Sequence, residues 1–484
     1  LYMEKGKQIF IYTRKLNANK SHKEQFAKRF RMAEDIYKKT LITLLKRYSK
    51  MKKDPLYKKA YKFPKGKERN AILKELGVKY DLVGKFTASK FANDYRNARN
   101  YHEFIPSDVA IHLGHRAWDA FSKVIFAKGA EKVNLRSTLT SFEGKRNSEL
   151  TVIGNIFTFS TRKKKFSCTI RNENDAFEEE VLRNTLKYNR LVRRFEFGEW
   201  NYYVQSIFEG TLPIKYTSEL EGSVGIDIGT STIAVSSYYQ TELEELAKDV
   251  MIDEQEVARL NRKLDRQRRV NNPHKYNEDG TIKRGVREPW VDSREYLKTK
   301  AELNELQRKA TVQRKLAHKT LANKIVQMGT TFVVEQMSFK GLQARTKETK
   351  VNEKTGKYQS KKRFGKTLLH KAPAMLIEQI RYKTLYQGKT FILANTREVK
   401  ASQLNHLTEE YNKVSLGTRA KMIGDDLVQR DLYSAFLLQH VGIDGVTVDI
   451  DGCKFDFDIF LRNQEFTMSQ VDTDLKSIGK DYFN

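Results

Sequence analysis

Three carboxylates stand in settings where they could act together: Asp227 in GIDIGTSTIAV (225–235), Glu335 in TTFVVEQMSFKGL (330–342) and Asp431 in QRDLYSAFLL (429–438). Asp227 lies in an apolar run that closes on Gly229, Glu335 follows the β-branched pair Val333-Val334, and Asp431 opens a segment with the spacing of an amphipathic helix. The chain separates them by 108 residues (227 to 335) and 96 residues (335 to 431), yet two strand ends and a helix start can meet at one point. Such a meeting suits phosphodiester hydrolysis by a metal pair about 3.5–4 Å apart, one ion activating water and the other stabilising the departing oxygen. Two Mg2+ ions are the natural occupants, with Mn2+ as a substitute, because hard cations take oxygen ligands and Mg2+ keeps several waters.

Each acid alone has a plainer reading. GIDIGTS also fits the phosphate loop of sugar kinases and actin-like ATPases. Glu335 could be a solvated strand terminus, and Asp431 an acid favoured by the helix macrodipole. The argument for shared chemistry is the order Asp, Glu, Asp, with a basic helical insertion between the first two.

The charge balance points to a polyanionic partner. Ninety Lys and Arg oppose sixty Asp and Glu over 484 residues, a formal net charge of +30 spread over amphipathic segments. Length allows two to four domains. Two cysteines, Cys168 and Cys453, can form neither a disulfide framework nor a four-ligand zinc site. No run approaches the ~20 apolar residues of a membrane span, so no membrane partner is expected and the chain reads as cytoplasmic.

Residues 7–16 alternate like a strand, and 21–50 switch to helical spacing with Phe26, Phe30, Ala33, Ile36 and Tyr37 on one face. Residues 54–69 read as a loop. Helices are expected at 87–101 and from Ser107, as N-cap, to about Phe126. From Glu131 to about residue 207 short alternating stretches dominate, with a turn near Gly198-Glu199. Beyond Ser223, a helix at 254–269 sets Val257, Leu260 and Leu264 on one side, surrounded by Arg259, Arg262, Lys263, Arg266, Arg268 and Arg269, rarely matched by acids at i+4. A second helix, about 294–328, stops at Gly329, and Asp279-Gly280 marks a turn between the two. Residues 343–371 look like a mobile basic loop, and 444–484 carry no motif.

This order of segments resembles the TnpB transposon-encoded RNA-guided nucleases and the compact type V CRISPR effectors. The likeness runs through nearly the whole chain, with its specific motifs confined to GIDIGTS, VVEQMSFKGL and QRDLYSAFLL. It implies an α/β multidomain protein: a β-barrel-like wedge domain (1–20 and 129–215) interrupted by a helical recognition lobe (21–128), then an RNase H-like, RuvC-type nuclease domain (216–484). That last domain would carry a basic helical insertion (254–328) and a target-loading insertion (about 395–428). The resemblance further implies Asp227, Glu335 and Asp431 as metal ligands, a guide RNA, and double-stranded DNA as target. Ser107 and His112 are candidates for reading a short motif beside the target. Their plain alternatives are a helix N-cap and a core-facing histidine.

One departure is large. The family commonly holds a zinc ribbon between the second and third acids, whereas 336–430 contains no cysteine and only His370 and His406, so no zinc is expected. Packing by Leu404, Leu407, Tyr411, Val414 and Leu416 would have to stabilise that stretch instead. A nuclease-inactive RNA-guided repressor is the second reading, and the three intact acids speak against it. A kinase or ATPase would need further glycine-rich loops that the chain lacks. A junction resolvase would lack the long N-terminal half.

Overall fold

A computed structural model of the protein describes residues 8–126, 137–145, 149–171, 176–213, 220–286, 288–348, 364–413 and 417–471, with single positions 133, 135, 351, 356 and 415 between them. Residues 349–350, 352–355 and 357–363 of the expected basic loop at 343–371, the end of the C-terminal stretch from 472, and Val414 and Leu416 lie outside the described residues. The fold is mixed α/β, in two compact units, Leu1–Pro213 and Ile214–Asn484.

The first unit opens with β1 (Gln8–Lys15) and the helices α1 (Lys20–Met51), α2 (Pro55–Ala60), α3 (Lys67–Lys79), α4 (Lys85–Ala98) and α5 (Ser107–Phe126). It continues with β2 (Ser141–Glu143), β3 (Leu150–Ile153), β4 (Ile156–Ser160), β5 (Lys165–Thr169), α6 (Ala176–Leu182), β6 (Thr185–Glu196) and β7 (Glu199–Gly210). The stretch 54–69 is therefore not all loop. Asp54 accepts the Leu56 amide at 2.9 Å and Pro55 takes the first helical position, which starts α2. Ser107 lies inside α5 instead of capping it.

The expected barrel does not close among the described residues. An antiparallel sheet runs β1-β7-β6-β2, a separate meander runs β3-β4-β5, and a single Leu16–Ile170 bridge links them. Helices and strands share one core instead. Phe26 stacks on Tyr202 with centroids 4.7 Å apart, and Phe30 meets Phe142 at 4.7 Å.

The second unit holds β8 (Ser223–Ile228), β9 (Thr232–Ser237), β10 (Thr241–Glu245), α7 (Glu254–Asn271), α8 (Arg294–Ile325) and β11 (Thr331–Glu335). Then come α9 (Phe339–Leu342), α10 (Gly365–Lys371), α11 (Pro373–Tyr386), β12 (Thr390–Ala394), α12 (Thr396–Val399), β13 (Ala420–Ile423), β14 (Asp426–Gln429), α13 (Arg430–Gln439) and α14 (Ile450–Gln470). Five strands form one sheet in the order β10-β9-β8-β11-β12, with β8, β9 and β10 an antiparallel meander and β8, β11 and β12 parallel.

Period-two alternation divides the two faces of this sheet. Val224, Ile226, Ile228, Phe332 and Val334 pack with Leu321, Ala322 and Ile325 of α8 and Leu376 and Ile380 of α11. Ala234, Leu243, Val333 and Ile392 pack with α13 and α14. Helix α13 has no solvent face of the kind expected of an amphipathic helix: every residue from Leu432 to Gln439 is buried, because it lies between the sheet and α14.

In the 395–428 stretch, Leu404 and His406 are buried, whereas Leu407 and Tyr411, expected as packing groups, are exposed. A Leu404–Tyr411 bridge and the β13–β14 hairpin order the chain there.

Candidate active site

Strand register is what gathers the acids. The parallel pairing of β8 with β11 aligns Ser223 with Thr331 and runs to Ile226 opposite Val334. One residue further along each strand stand Asp227 and Glu335. Alternation turns both toward the α13 face, as it does Gly225 and Val333. At Gly225 the close approach is visible: a Cβ there would sit well inside the contact distance of the Ala435 carbonyl oxygen and the Gln439 amide nitrogen. Helix α13 therefore rests directly on β8, and its first turn brings Asp431 to the same end of the sheet.

The electrostatics follow from this crowding. Desolvation, then the charges of Glu335 and Asp431, push the Asp227 carboxyl well above the usual carboxylate range, while a hydrogen bond from Ser434 and the charge of Arg430 oppose the rise. Burial also raises Glu335. Asp431 is held by two arginines: Arg430 places Nη2 and Nε 2.7 and 3.0 Å from Oδ1, and Arg419 places Nη1 3.3 Å from Oδ2. Among the described residues, no three His, Cys, Asp or Glu side chains stand close enough to share one ion as placed. The donor chemistry nonetheless fits a hard dication, since two neighbouring carboxylates repel one another with a third in electrostatic reach.

Ser434, Arg430 and Arg419 were not singled out in the sequence. Ser434 had a signal, lying three residues after Asp431 and so on the same helical face. Arg419 had none, because the β13–β14 hairpin alone brings it back. Beside Glu335 lies a cavity of about 390 Å³, lined by Gln336, Met337, Ser338, Gly341, Leu342 and Thr396.

The basic candidates on α7 divide. Arg259 is bidentate to Glu256 at 2.6 Å, and Arg269 pairs with Asp265 at 3.0 Å, so acids match these two more closely than the sequence suggested. Arg268 lies 4.1 Å over the Trp290 ring. Lys263 is part-buried, near the charge of Glu256, and Arg262 and Arg266 are exposed with no ion pair among the described residues. Ser107 is exposed on α5, and His112 points not into a core but toward Glu143, with Nδ1 3.9 Å from Oε1. Both belong to the first compact unit, and the three acids to the second. No helix among the described residues is long and apolar enough to cross a membrane.

No protein-family model and no curated protein matches the chain. Among solved structures it is similar to a Cas12f1–sgRNA–target DNA complex, at 12% identity over 87% of this chain and 83% of that one, with a TM-score of 0.48. It is also similar to a CRISPR-Cas12f ternary complex at 11% identity, over 87% of this chain and 82% of that one, TM-score 0.27. A third is the Cas12i1 R-loop complex before target DNA cleavage, at 10% identity over 91% of this chain and 61% of that one, TM-score 0.29. The structures named are Cas12f and Cas12i complexes, type V effectors of the kind the motif order suggested.

Proposed function

We propose that the protein is an RNA-guided DNA endonuclease whose second unit is an RNase H-like, RuvC-type nuclease. A guide RNA pairs with double-stranded target DNA beside a short flanking motif, and one site hydrolyses the phosphodiester. The observation that carries this reading is the parallel β8–β11 register, which sets Asp227 and Glu335 side by side with Asp431 in electrostatic reach.

Asp227, Glu335 and Asp431 would hold magnesium, which would supply water activation and stabilisation of the leaving oxygen. The chain's own residues do the positioning. Ser434 fixes an Asp227 oxygen, Arg430 and Arg419 orient Asp431, and the exposed Arg262 and Arg266 neutralise backbone phosphates. Ser107 and His112 remain the candidates for flanking-motif contact.

Replacing Asp227 by Ala is expected to abolish DNA cleavage while leaving guide and target binding intact, as measured by cleavage and filter-binding assays on the same preparation. Cleavage by Asp227→Ala at the wild-type rate would refute the assignment. The second reading, a nuclease-inactive RNA-guided binder, draws on the two arginines that occupy Asp431. It predicts that the wild-type ribonucleoprotein binds target without cutting it in Mg2+ or Mn2+.

A further inference from the structure

Four arginines are buried among the described residues, and three have acceptors. Arg14 pairs with Glu178 at 3.2 Å. Arg193 pairs with Glu34 at 3.2 Å and donates to the Leu139 carbonyl at 2.9 Å. Arg29 donates to Gln25 and lies over the rings of Phe104, Phe159 and Phe166.

Arg314 on α8 is the exception. It is only 8% exposed, yet its guanidinium has no hydrogen bond, ion pair or aromatic face among the described residues, and its Nε is sealed from solvent without a partner. A largely desolvated charge without a partner is unfavourable, so a counter-anion is called for.

The surroundings reinforce this need. One turn along the same helical face, His318 is fully buried; its Nε2 donates to the Lys371 carbonyl at 2.8 Å, and its Nδ1 has no partner. Burial and the charge of Arg314 hold His318 below the ordinary histidine range, and Arg314 also bears on His370. The nearby acids are already engaged: Glu254 takes Lys366 at 2.6 Å and faces His370, and Glu245 takes Lys371 at 2.7 Å. Among the described residues, the charge of Arg314 on the face of α8 toward α10 thus has no answering acid.

We propose that Arg314 and His318 form an anion-binding site for a phosphate group. The guanidinium fork matches a phosphate's paired oxygens. Nδ1, left an acceptor by the Nε2 bond, would take the P–OH of a free phosphate monoanion or, beside a strand phosphodiester, which has no P–OH, a bridging water. The phosphate comes either from the backbone of a bound strand or from the free ion. The site lies outside the three carboxylates and needs no cleavage activity, so it can fail or hold independently of the nuclease reading.

The test uses the full chain stripped of nucleic acid by high salt, with Arg314→Met and Arg314→Lys beside wild type. Thermal unfolding is followed in inorganic phosphate and in chloride at matched ionic strength. Phosphate is expected to raise the wild-type midpoint, to raise that of Arg314→Lys less, and to leave that of Arg314→Met unmoved. In chloride Arg314→Met should melt at or above wild type, because an unpaired buried charge has been removed. RNA affinity separates the two sources: a strand phosphate predicts about a tenfold loss in Arg314→Met and a log–log salt slope shallower by about one, and a free ion predicts no change. Equal phosphate shifts in wild type and Arg314→Met would overturn the proposal. So would the absence of any phosphate shift with unchanged RNA affinity, or an Arg314→Met protein that melts below wild type in chloride while Arg314→Lys does not, which would reveal an acid of the chain itself left unpaired.

Discussion

His406 shows how a single buried group ties this protein to pH. Its ring packs 4.7 Å from that of Phe457, and Nδ1 lies 2.8 Å from the Tyr433 hydroxyl. Burial first, then the charges of His440, Lys454 and Lys421, take its pKa from the ordinary 6.5 to about 4. Between those values the unfolded chain binds a proton that the folded chain refuses. Its stabilisation is therefore complete above about pH 6.5 and is lost as pH falls through about 4, amounting to about 3 kcal/mol at most. Chemical unfolding compared at the two ends of that window is expected to show the loss in wild type and a flatter response in His406→Phe. Equal slopes in the two proteins would count against this account. The same histidine illustrates a limit of residue-level reading: in the sequence it was one of two histidines in a cysteine-free stretch, too few to hold zinc, and only packing identifies it as a core group.

Elements are positioned here by close approaches and by turns. Gly225 lets α13 lie on β8, and a methyl there would meet backbone atoms of Ala435, Leu438 and Gln439, none of which can rotate aside. Gly225→Ala is expected to cost about 3 kcal/mol or more and to displace Asp431, so that cleavage falls even at temperatures where the variant stays folded. Wild-type melting and cleavage in that variant would contradict the packing. The β6–β7 hairpin turns on Phe197 and Gly198, both left-handed at φ 56° and 81°. A bulky L residue is strained there and asparagine much less so, so Phe197→Asn should gain about 1 kcal/mol in thermal unfolding. A lower melting temperature would argue against strain at that turn.

For the whole molecule, the net charge of +30 is the dominant property. Part of it is spent internally, as in the Arg259–Glu256 and Arg308–Glu305 pairs, and part remains open on α7 and α8. If nucleic acid is the partner, affinity should fall linearly on a log–log salt plot with a slope of about −0.7 to −0.9 per neutralised phosphate. Charge-removing variants at Arg262 and Arg266 should each make it shallower by about one unit while weakening all sequences alike. RNA binding indifferent to salt would be incompatible with a phosphate-dominated interface.

What the sequence determined by itself was local: apolar periods of two and of 3.6 located the strands and helices around Asp227, Glu335 and Asp431, because alternation and helical spacing need only neighbours along the chain. Ends shifted where caps and tertiary packing outweigh pattern, as at Ile325, where α8 stops short of Gly329. Tertiary structure decided what depends on partners distant in sequence. It set the register placing Asp227 beside Glu335, the burial of α13 on all sides, the return of Arg419 to Asp431, and the core shared by the N-terminal helices and strands. It also left Arg314 buried without an acceptor among the described residues. In the sequence Arg314 is one basic residue among ninety, because desolvation is a property of the surroundings and not of the residue.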